Sequence, residues 1–253
     1  MFQDAMIIAG DAYRDANRRT GVVYLLLIIA ILQVAVFSLY GEISLGVEDK
    51  MLMDASLGMV SLVGLISALS IGFQVPRELR ERTAMTLFAK PMGREAYLVG
   101  KVLGGAGLAF RNMLVVAIGC LFILNSNDLT NQAFTTGFLQ SFLLSFIATV
   151  DVIAIALLLS IFLSEGAVVM GCVIVFVLGN ATHMMSVSET GLSAIGGVLK
   201  YVLPNYFLLD IKTEVAAGLP TSFPYLASAA AYGICYAVMV TSLCVTLFKK
   251  RDL

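Results

Sequence analysis

Two charged residues, Arg111 and Asp151, lie inside stretches of this sequence that are otherwise apolar enough to cross a bilayer. A charge within a membrane is costly, so it usually pairs with an opposite charge or faces water. If the two stretches are neighbouring helices that run in opposite directions, the depths of these residues agree within about one to two helical turns. We therefore expect a structural ion pair or, alternatively, residues that line a substrate path, unless the two positions are unrelated.

A second group of charges forms a short polar insert between two apolar stretches. It opens with Pro76-Arg77-Glu78-Leu79-Arg80-Glu81-Arg82-Thr83 and continues through Leu87-Phe88 and Pro91-Met92-Gly93-Arg94 to Gly100-Lys101. Opposite charges four residues apart favour a helix, and a proline suits the first position of one. The sequence predicts a helix that begins at Pro76 and stops at Pro91. The alternative is a solvated loop.

Motifs for enzymatic chemistry are missing from the sequence. There is no Gly-x-x-x-x-Gly-Lys-Ser/Thr phosphate loop, so the chain is not expected to hydrolyse ATP by that route. The only histidine, His183, cannot form a His-Glu-x-x-His motif, and beside Met184 and Met185 it makes a poor copper site. We expect no catalytic residue, no metal site and no cofactor in this chain, and no nucleic-acid partner.

The composition is that of a membrane protein. Of the 253 residues, 59% are hydrophobic and only 13% are charged, whereas soluble domains are typically about 25% charged. Windows long enough to cross a hydrocarbon core of about 30 Å occur at Gly21–Tyr40, Ala55–Val75, Val102–Leu124, Ala133–Leu163, Gly166–Val187 and Pro224–Phe248. We predict an all-α membrane protein in which residues 1–253 form a single transmembrane domain of six helices.

The lysines and arginines outside these windows are unevenly distributed, and positive charge favours the cytoplasmic side of a membrane. One predicted side carries Arg14, Arg18, Arg19, Arg77, Arg80, Arg82, Lys90, Arg94, Lys101, Lys249, Lys250 and Arg251. The other side carries Lys50, Lys200 and Lys212. Because six spans return the chain to the side on which it started, we predict that both termini are cytoplasmic.

Two further segments flank the predicted spans. Residues 1–20 are expected to form an amphipathic helix on the cytoplasmic surface, with an apolar stripe of Phe2, Ala5, Met6, Ala9, Tyr13 and Ala16. Residues 188–223 form the longest external piece, whose apolar part, Leu192–Leu203, is too short to cross. We expect a re-entrant or interfacial segment there. Gly100 and Gly104 favour close helix packing at the start of the third span.

The insert resembles the signature of type-2 ABC exporter permeases, the membrane subunits of ATP-driven exporters. That family has a glutamate five residues before a threonine, then an apolar stretch, Pro-x-x-Arg, and Gly-Lys opening the third span. The corresponding residues here are Glu78, Thr83, Pro91, Arg94, Gly100 and Lys101. The six-span layout and the ending Phe248–Leu253 agree with the resemblance. The chain departs from it at Arg80 and Arg82, where the family often has a second glutamate and a glycine.

The resemblance implies a permease that forms the substrate path and is driven by a separate cytoplasmic ABC ATPase subunit, which would bind ATP and Mg. It also implies a dimer with a second permease copy or homologue, among the lipids of a bacterial inner membrane. The coupling segment would be residues 76–96, and the contacts would be Arg77, Glu78, Arg80, Glu81, Arg82, Thr83, Leu87 and Phe88. An ion-coupled secondary carrier and a non-transporting scaffold that docks a cytoplasmic partner are the alternatives.

The charge distribution yields a topological prediction. In a cysteine-free background, a cysteine at Asp252 should react with a membrane-impermeant thiol reagent only from the cytoplasmic side, because positive charge is retained there. Cysteines at Glu48 or Lys212 should react only from outside. Labelling of position 252 in intact cells would overturn the predicted orientation.

Overall fold

A computed structural model describes residues 2–18, 31, 35, 48–80, 93–126, 132–185, 203–219 and 221–250. These residues form helices and connecting turns, with no strand among them. The α-helices are α1 (Phe2–Arg18), α2 (Glu48–Arg80), α3 (Arg94–Ser126), α4 (Gln132–Ser160), α5 (Glu165–Met185), α6 (Lys212–Ala216) and α7 (Phe223–Lys249). A 3-10 helix over Tyr206–Leu209 precedes α6.

Four of these helices are long and apolar enough to cross a membrane. Their spanning parts are Lys50–Glu78 in α2, Glu95–Asn125 in α3, Phe134–Ser160 in α4 and Phe223–Phe248 in α7. They correspond to the second, third, fourth and sixth predicted windows. The protein is therefore an all-α, multi-pass membrane protein.

The described helices do not confirm the other two predicted spans. The fully described apolar part of α5, Glu165–Ala181, is shorter than a spanning helix. The first window, Gly21–Tyr40, lies outside the described residues except for Ile31 and Ala35. Six spans consequently remain a prediction.

Two helix boundaries differ from the sequence prediction. Helix α2 already begins at Glu48, before the predicted start of the second span at Ala55. The expected helix start at Pro76 is wrong, because α2 continues through Pro76 to Arg80. A proline inside a helix removes one hydrogen bond and crowds the carbonyl four residues earlier, here that of Gly72. Contacts of Glu78 with Lys101 and Tyr97 of α3 hold the turn that follows Pro76.

Helix α1 packs lengthwise against the first half of α3. A Cβ atom at Gly100 would lie 2.8 Å from the carbonyl oxygen of Ala5, and one at Gly104 would lie 2.6 Å from that of Ala9. Further along, Tyr13 is the nearest neighbour of Gly107, at 4.0 Å from its ideal Cβ position. The contacts advance together on both helices, so α1 and α3 run parallel. The predicted packing role of Gly100 and Gly104 is confirmed.

The buried face of α1 differs in part from the predicted stripe. Ala5, Ile8 and Ala12 are buried, whereas Met6 is 55% exposed. Ile8 and Ala12 were not in the predicted stripe. The reason is tertiary: the glycines of α3 admit the helix backbone, so small residues and Ile8 set the contact rather than the longest apolar side chains.

The remaining helices surround α4, which contacts α2, α3, α5 and α7. Helices α2 and α5 also contact each other, and Gly72 of α2 lies at the junction. A Cβ atom there would be 3.2 Å from the Cβ of Ala156 and 3.3 Å from Cγ1 of Val168. The ends of α2 and α7 meet the start of α3, which brings Glu78, Tyr97 and Phe248 together at one end of the described bundle.

The α1–α3 contact can be tested with two glycines of the same helix. We expect Gly104→Ala to lower the free energy of unfolding by about 1–3 kcal/mol, because the new methyl group meets the Ala9 carbonyl. Gly119 has open space around its Cβ position, so Gly119→Ala should be neutral or slightly stabilising. Unfolding in detergent micelles is the measurement. Equal stability of the two variants would contradict the packing.

Candidate functional site

The best-defined polar site is a buried ion pair that joins the end of α2 to the start of α3. Lys101 Nζ lies 2.5 Å from Oε1 of Glu78. The Tyr97 hydroxyl donates to Oε2 of the same carboxylate at 2.6 Å. Only 5% of the Lys101 side chain and 22% of the Glu78 side chain are exposed. Both carboxylate oxygens are thus engaged by donors from α3.

The same pair is tied to α1 through Gln74. Lys101 Nζ lies 3.5 Å from Oε1 of Gln74, whose Nε2 donates to the carbonyl of Ala12 at 3.4 Å. Gln74 is itself buried. Its amide can serve both neighbours because it carries a donor and an acceptor. The ion pair therefore connects α1, α2 and α3.

Helix α7 reaches the site through an aromatic contact. The rings of Tyr97 and Phe248 stack with centroids 6.1 Å apart, and both residues are fully buried. The Lys101 ammonium lies 5.7 Å from the centroid of the Tyr97 ring, within the range of a cation–π contact. Tyr97 consequently contacts the Glu78–Lys101 ion pair and, through Phe248, helix α7.

The predicted coupling residues are described only in part. Arg77 is exposed and Glu78 is half-buried, and both lie in the last turns of α2. Arg80 closes that helix, but its side chain is outside the described residues. The other five positions, Glu81, Arg82, Thr83, Leu87 and Phe88, also lie outside them, so their role stays a prediction.

Arg111 and Asp151 do not form the predicted ion pair in the described structure. Arg111 donates from Nη1 to the Tyr13 hydroxyl at 3.1 Å and from Nη2 to Oδ1 of Asn112 at 2.9 Å. The guanidinium also lies 5.3 Å from the centroid of the Tyr13 ring. Asn112 in turn donates a hydrogen bond from Nδ2 to Oγ of Ser67 in α2, at 3.0 Å. Arg111 thus fastens α1 to α3, because Tyr13 is the aromatic acceptor within its reach.

Asp151 lies fully buried on the other side of the bundle. Neither of its carboxylate oxygens has a hydrogen-bond partner among the described residues. Helix α7 covers it at Gly233, where a Cβ atom would lie 3.5 Å from Oδ2 of Asp151 and would collide with Cγ2 of Ile147. The absence of a side chain at Gly233 is what lets α7 approach the carboxyl group so closely.

A small pocket with several polar side chains in its lining, the polar pocket, lies against α4 at Thr149 and Val152. It has a volume of about 30 Å³ and is lined by side chains of α2, α4, α5 and the 203–212 segment, among them Ser61, Ser145, Thr149, Asn180, Tyr206 and Lys212. Ser61 and Ser145 are hydrogen bonded at 2.9 Å, and Lys212 Nζ lies 3.3 Å from Ser61 Oγ. Lys212 also forms an ion pair with Asp210 at 3.1 Å. The pocket offers both donors and acceptors.

Tyr206 links this pocket to the core. Its ring packs against Phe176 with centroids 5.2 Å apart, and it fills the space beside Gly179. The buried hydroxyl has no hydrogen-bond partner among the described residues. Burial, and then the neighbouring Asp151 carboxyl, hold the pKa of the Tyr206 phenol well above its usual value.

A wider groove of about 750 Å³ opens between α3, α4 and α7. Its lining is mainly apolar, with Glu95 and the hydroxyl side chains of Thr241, Ser242 and Thr246 as the polar exceptions. No cluster of three or more His, Cys, Asp or Glu side chains that could hold a metal ion occurs in the described part of the chain.

Comparison with known proteins assigns no family, because neither a family model nor a curated protein matches the chain. The class of protein therefore follows from the structure itself. The described helices and their length define an all-α, multi-pass membrane protein, with one buried ion pair near the insert and one polar region around Asp151.

Sequence reasoning singled out Glu78, Lys101, Arg111 and Asp151 but missed the side chains that act on them. Tyr97, Gln74, Tyr13 and Tyr206 read as ordinary apolar-face or loop residues in the sequence. Gln74 gave a partial signal, because it is a large polar residue in the second window, which contains no charged residue. For Tyr206 there was none, because its burial depends on how residues 203–212 fold back onto α5.

The ion pair generates a prediction for stability. Glu78→Gln should lower the free energy of unfolding by on the order of 3 kcal/mol, because it leaves the buried Lys101 charge without its partner. Lys101→Met should lower it by less, because the side chain of Glu78 that it leaves is 22% exposed. The double variant should lose less than the sum of the two. Lys50→Met, at the exposed opposite end of α2, is the matched control and should change stability by less than about 0.5 kcal/mol. Strictly additive losses would show that the two side chains do not interact.

Proposed function

We propose that this chain is the transmembrane permease subunit of an ABC exporter in a bacterial inner membrane. The insert and α1 face the cytoplasm, and a separate ABC ATPase subunit binds ATP and Mg and drives transport. The observation that carries the proposal is the buried Glu78–Lys101 pair with its Tyr97 bond, at the two ends of the insert. A purely solvated loop has no need for such an anchor.

Mechanical coupling gives the anchor its purpose. A motor that changes shape on binding ATP can move a membrane subunit only through an element that does not yield. The ion pair fixes the end of α2 to the start of α3, Gln74 adds α1, and Tyr97 adds α7 through Phe248. A push on the insert would accordingly be transmitted to four helices together rather than absorbed by one.

The substrate path in this proposal lies between two permease copies, near residues 21–40, α2 and α5. The contact between α2 and α5 at Gly72 supports this arrangement, because it lets the two helices move as one unit. Helix α5 also exposes an apolar face at Met170, Ile174 and Val177. Such a face suits the surrounding lipid or a second copy.

A second candidate function is an ion-coupled secondary carrier, and buried Asp151 is the observation that favours it. Intramembrane carboxyl groups commonly mark ion or proton pathways. A carrier has no ATPase partner, so the following experiment separates the two functions.

The insert supplies the prediction for the exporter. Leu87→Ser with Phe88→Ser should abolish co-purification of the ATPase and substrate-stimulated ATP hydrolysis, since burying a Leu or Phe contributes roughly 1.5–3 kcal/mol. Arg80→Ala with Glu81→Ala is the matched pair and should have a smaller effect, because exposed ion pairs contribute about 0–1 kcal/mol. Membrane insertion is checked in parallel. Wild-type ATPase binding and hydrolysis in the Ser variant would leave the insert as a solvated loop and remove its coupling role, whereas an unaltered chain that binds no ATPase would favour the carrier.

A further inference from the structure

Two buried polar groups that come from different elements lack hydrogen-bond partners in the described structure. The Asp151 carboxyl group is completely buried on α4, and Tyr206, which carries the second group, is 2% exposed and lies in the 3-10 helix. Neither carboxylate oxygen of Asp151 nor the hydroxyl of Tyr206 has a partner among the described residues. Buried polar groups are almost always satisfied in native proteins, so the protonation state of these two groups requires an explanation.

Among the described residues, the surroundings of the two groups offer no counter-charge. The titratable side chains that act on Tyr206 are Asp151 of α4, Tyr232 and Tyr236 of α7 and Cys172 of α5. On the side of the pocket, the cation is Lys212, which is engaged by Asp210 and Ser61. Arg111, the other charge inside a predicted span, is bound to Tyr13 and Asn112. None of these described cations neutralises Asp151.

A carboxylate in this position would be a bare charge in an apolar interior, which is strongly unfavourable. A neutral carboxylic acid fits the same space and can both donate and accept a hydrogen bond. The pocket that Tyr206 lines has a volume of about 30 Å³ and several polar side chains in its lining, and it is large enough for a water molecule, which needs about 10–15 Å³ of such volume. The pocket therefore places Tyr206 next to side chains that can carry a proton, namely Asp210 and Lys212.

We propose that Asp151 is an intramembrane proton-binding site and that Tyr206, whose hydroxyl is also buried without a described partner, is the polar group that lies near Asp151 and lines the polar pocket. The carboxyl group holds the proton while α7 is packed on α4 at Gly233. Separation of these two helices would admit water, and the ionised carboxylate would then become tolerable. This site goes beyond the proposed function and does not depend on which of the two candidate functions is right.

The test is infrared spectroscopy of the purified full chain in lipid vesicles, without an ATPase. At neutral pH we expect the carbonyl band of a protonated carboxylic acid, shifted when H2O is replaced by D2O and absent in Asp151→Asn. Asp210→Asn, which alters a partly exposed carboxyl group beside the pocket, is the control and should leave the band in place. Absence of the band in the wild-type protein would overturn the proton site.

Two further measurements complete the test. Asp151→Asn should still fold, because an amide resembles the neutral acid, whereas removal of an ion-pair partner would impair folding. If that variant is not recovered, aspartate labelled with 13C at the side-chain carboxyl should shift the band of the wild-type protein, and an unshifted band would overturn the assignment. Tyr206→Phe should shift the band frequency, because the acid loses the nearby phenol hydroxyl, and an unchanged frequency would overturn the role given to Tyr206.

Discussion

The rule that a charge removed from water must find a partner determines much of this structure. Lys101 is almost wholly buried, and it can occupy that place because Glu78 and Gln74 meet it from α2. The partner requirement fixes the register of α2 against α3 at the insert. It also explains why α2 remains helical beyond Pro76, where local rules favour a helix start. Breaking a buried pair costs far more than forming it gains, so the pair constrains the fold more than it stabilises it.

Close approach at glycines is the second constraint, and it organises the helices that the ion pair leaves free. Within a bilayer, helices gain little from apolar burial, so small residues that allow close backbone contact decide which faces meet. Gly100 and Gly104 receive α1, Gly179 receives Tyr206, and Gly233 receives Ile147 and Asp151. Each of these glycines lies at a contact between two different elements. Together they place α1, the 203–212 segment and α7 around α2, α3 and α4.

Two polar systems thus occupy different parts of the bundle. One surrounds Lys101 at the insert, and all its charges are matched. The other surrounds Asp151, where a carboxyl group and a phenol are left without described partners. Along α2, Ser61 of the polar pocket precedes Glu78 by a distance of about 25 Å, at 1.5 Å per residue. In the proposed exporter the first system would transmit force, and the second would respond to how α4 and α7 pack.

The amino-acid sequence by itself determined the class of this protein. Runs of apolar residues long enough for a bilayer require helices, because a lipid-exposed backbone must satisfy its own hydrogen bonds. Four predicted spans were found close to the predicted boundaries, and the glycine pair Gly100 and Gly104 was identified correctly as a packing site.

Only the tertiary structure decided the partners of the charges. Arg111 and Asp151 were paired on depth alone, but depth does not say which way a helix is rotated. The rotation of α3 turns Arg111 towards Tyr13, and that of α4 turns Asp151 towards Gly233. Glu78 and Lys101 were both singled out in the sequence, yet their contact depends on the register of two helices joined by the insert. Helix periodicity specifies a face, and only packing against a neighbour specifies what that face meets.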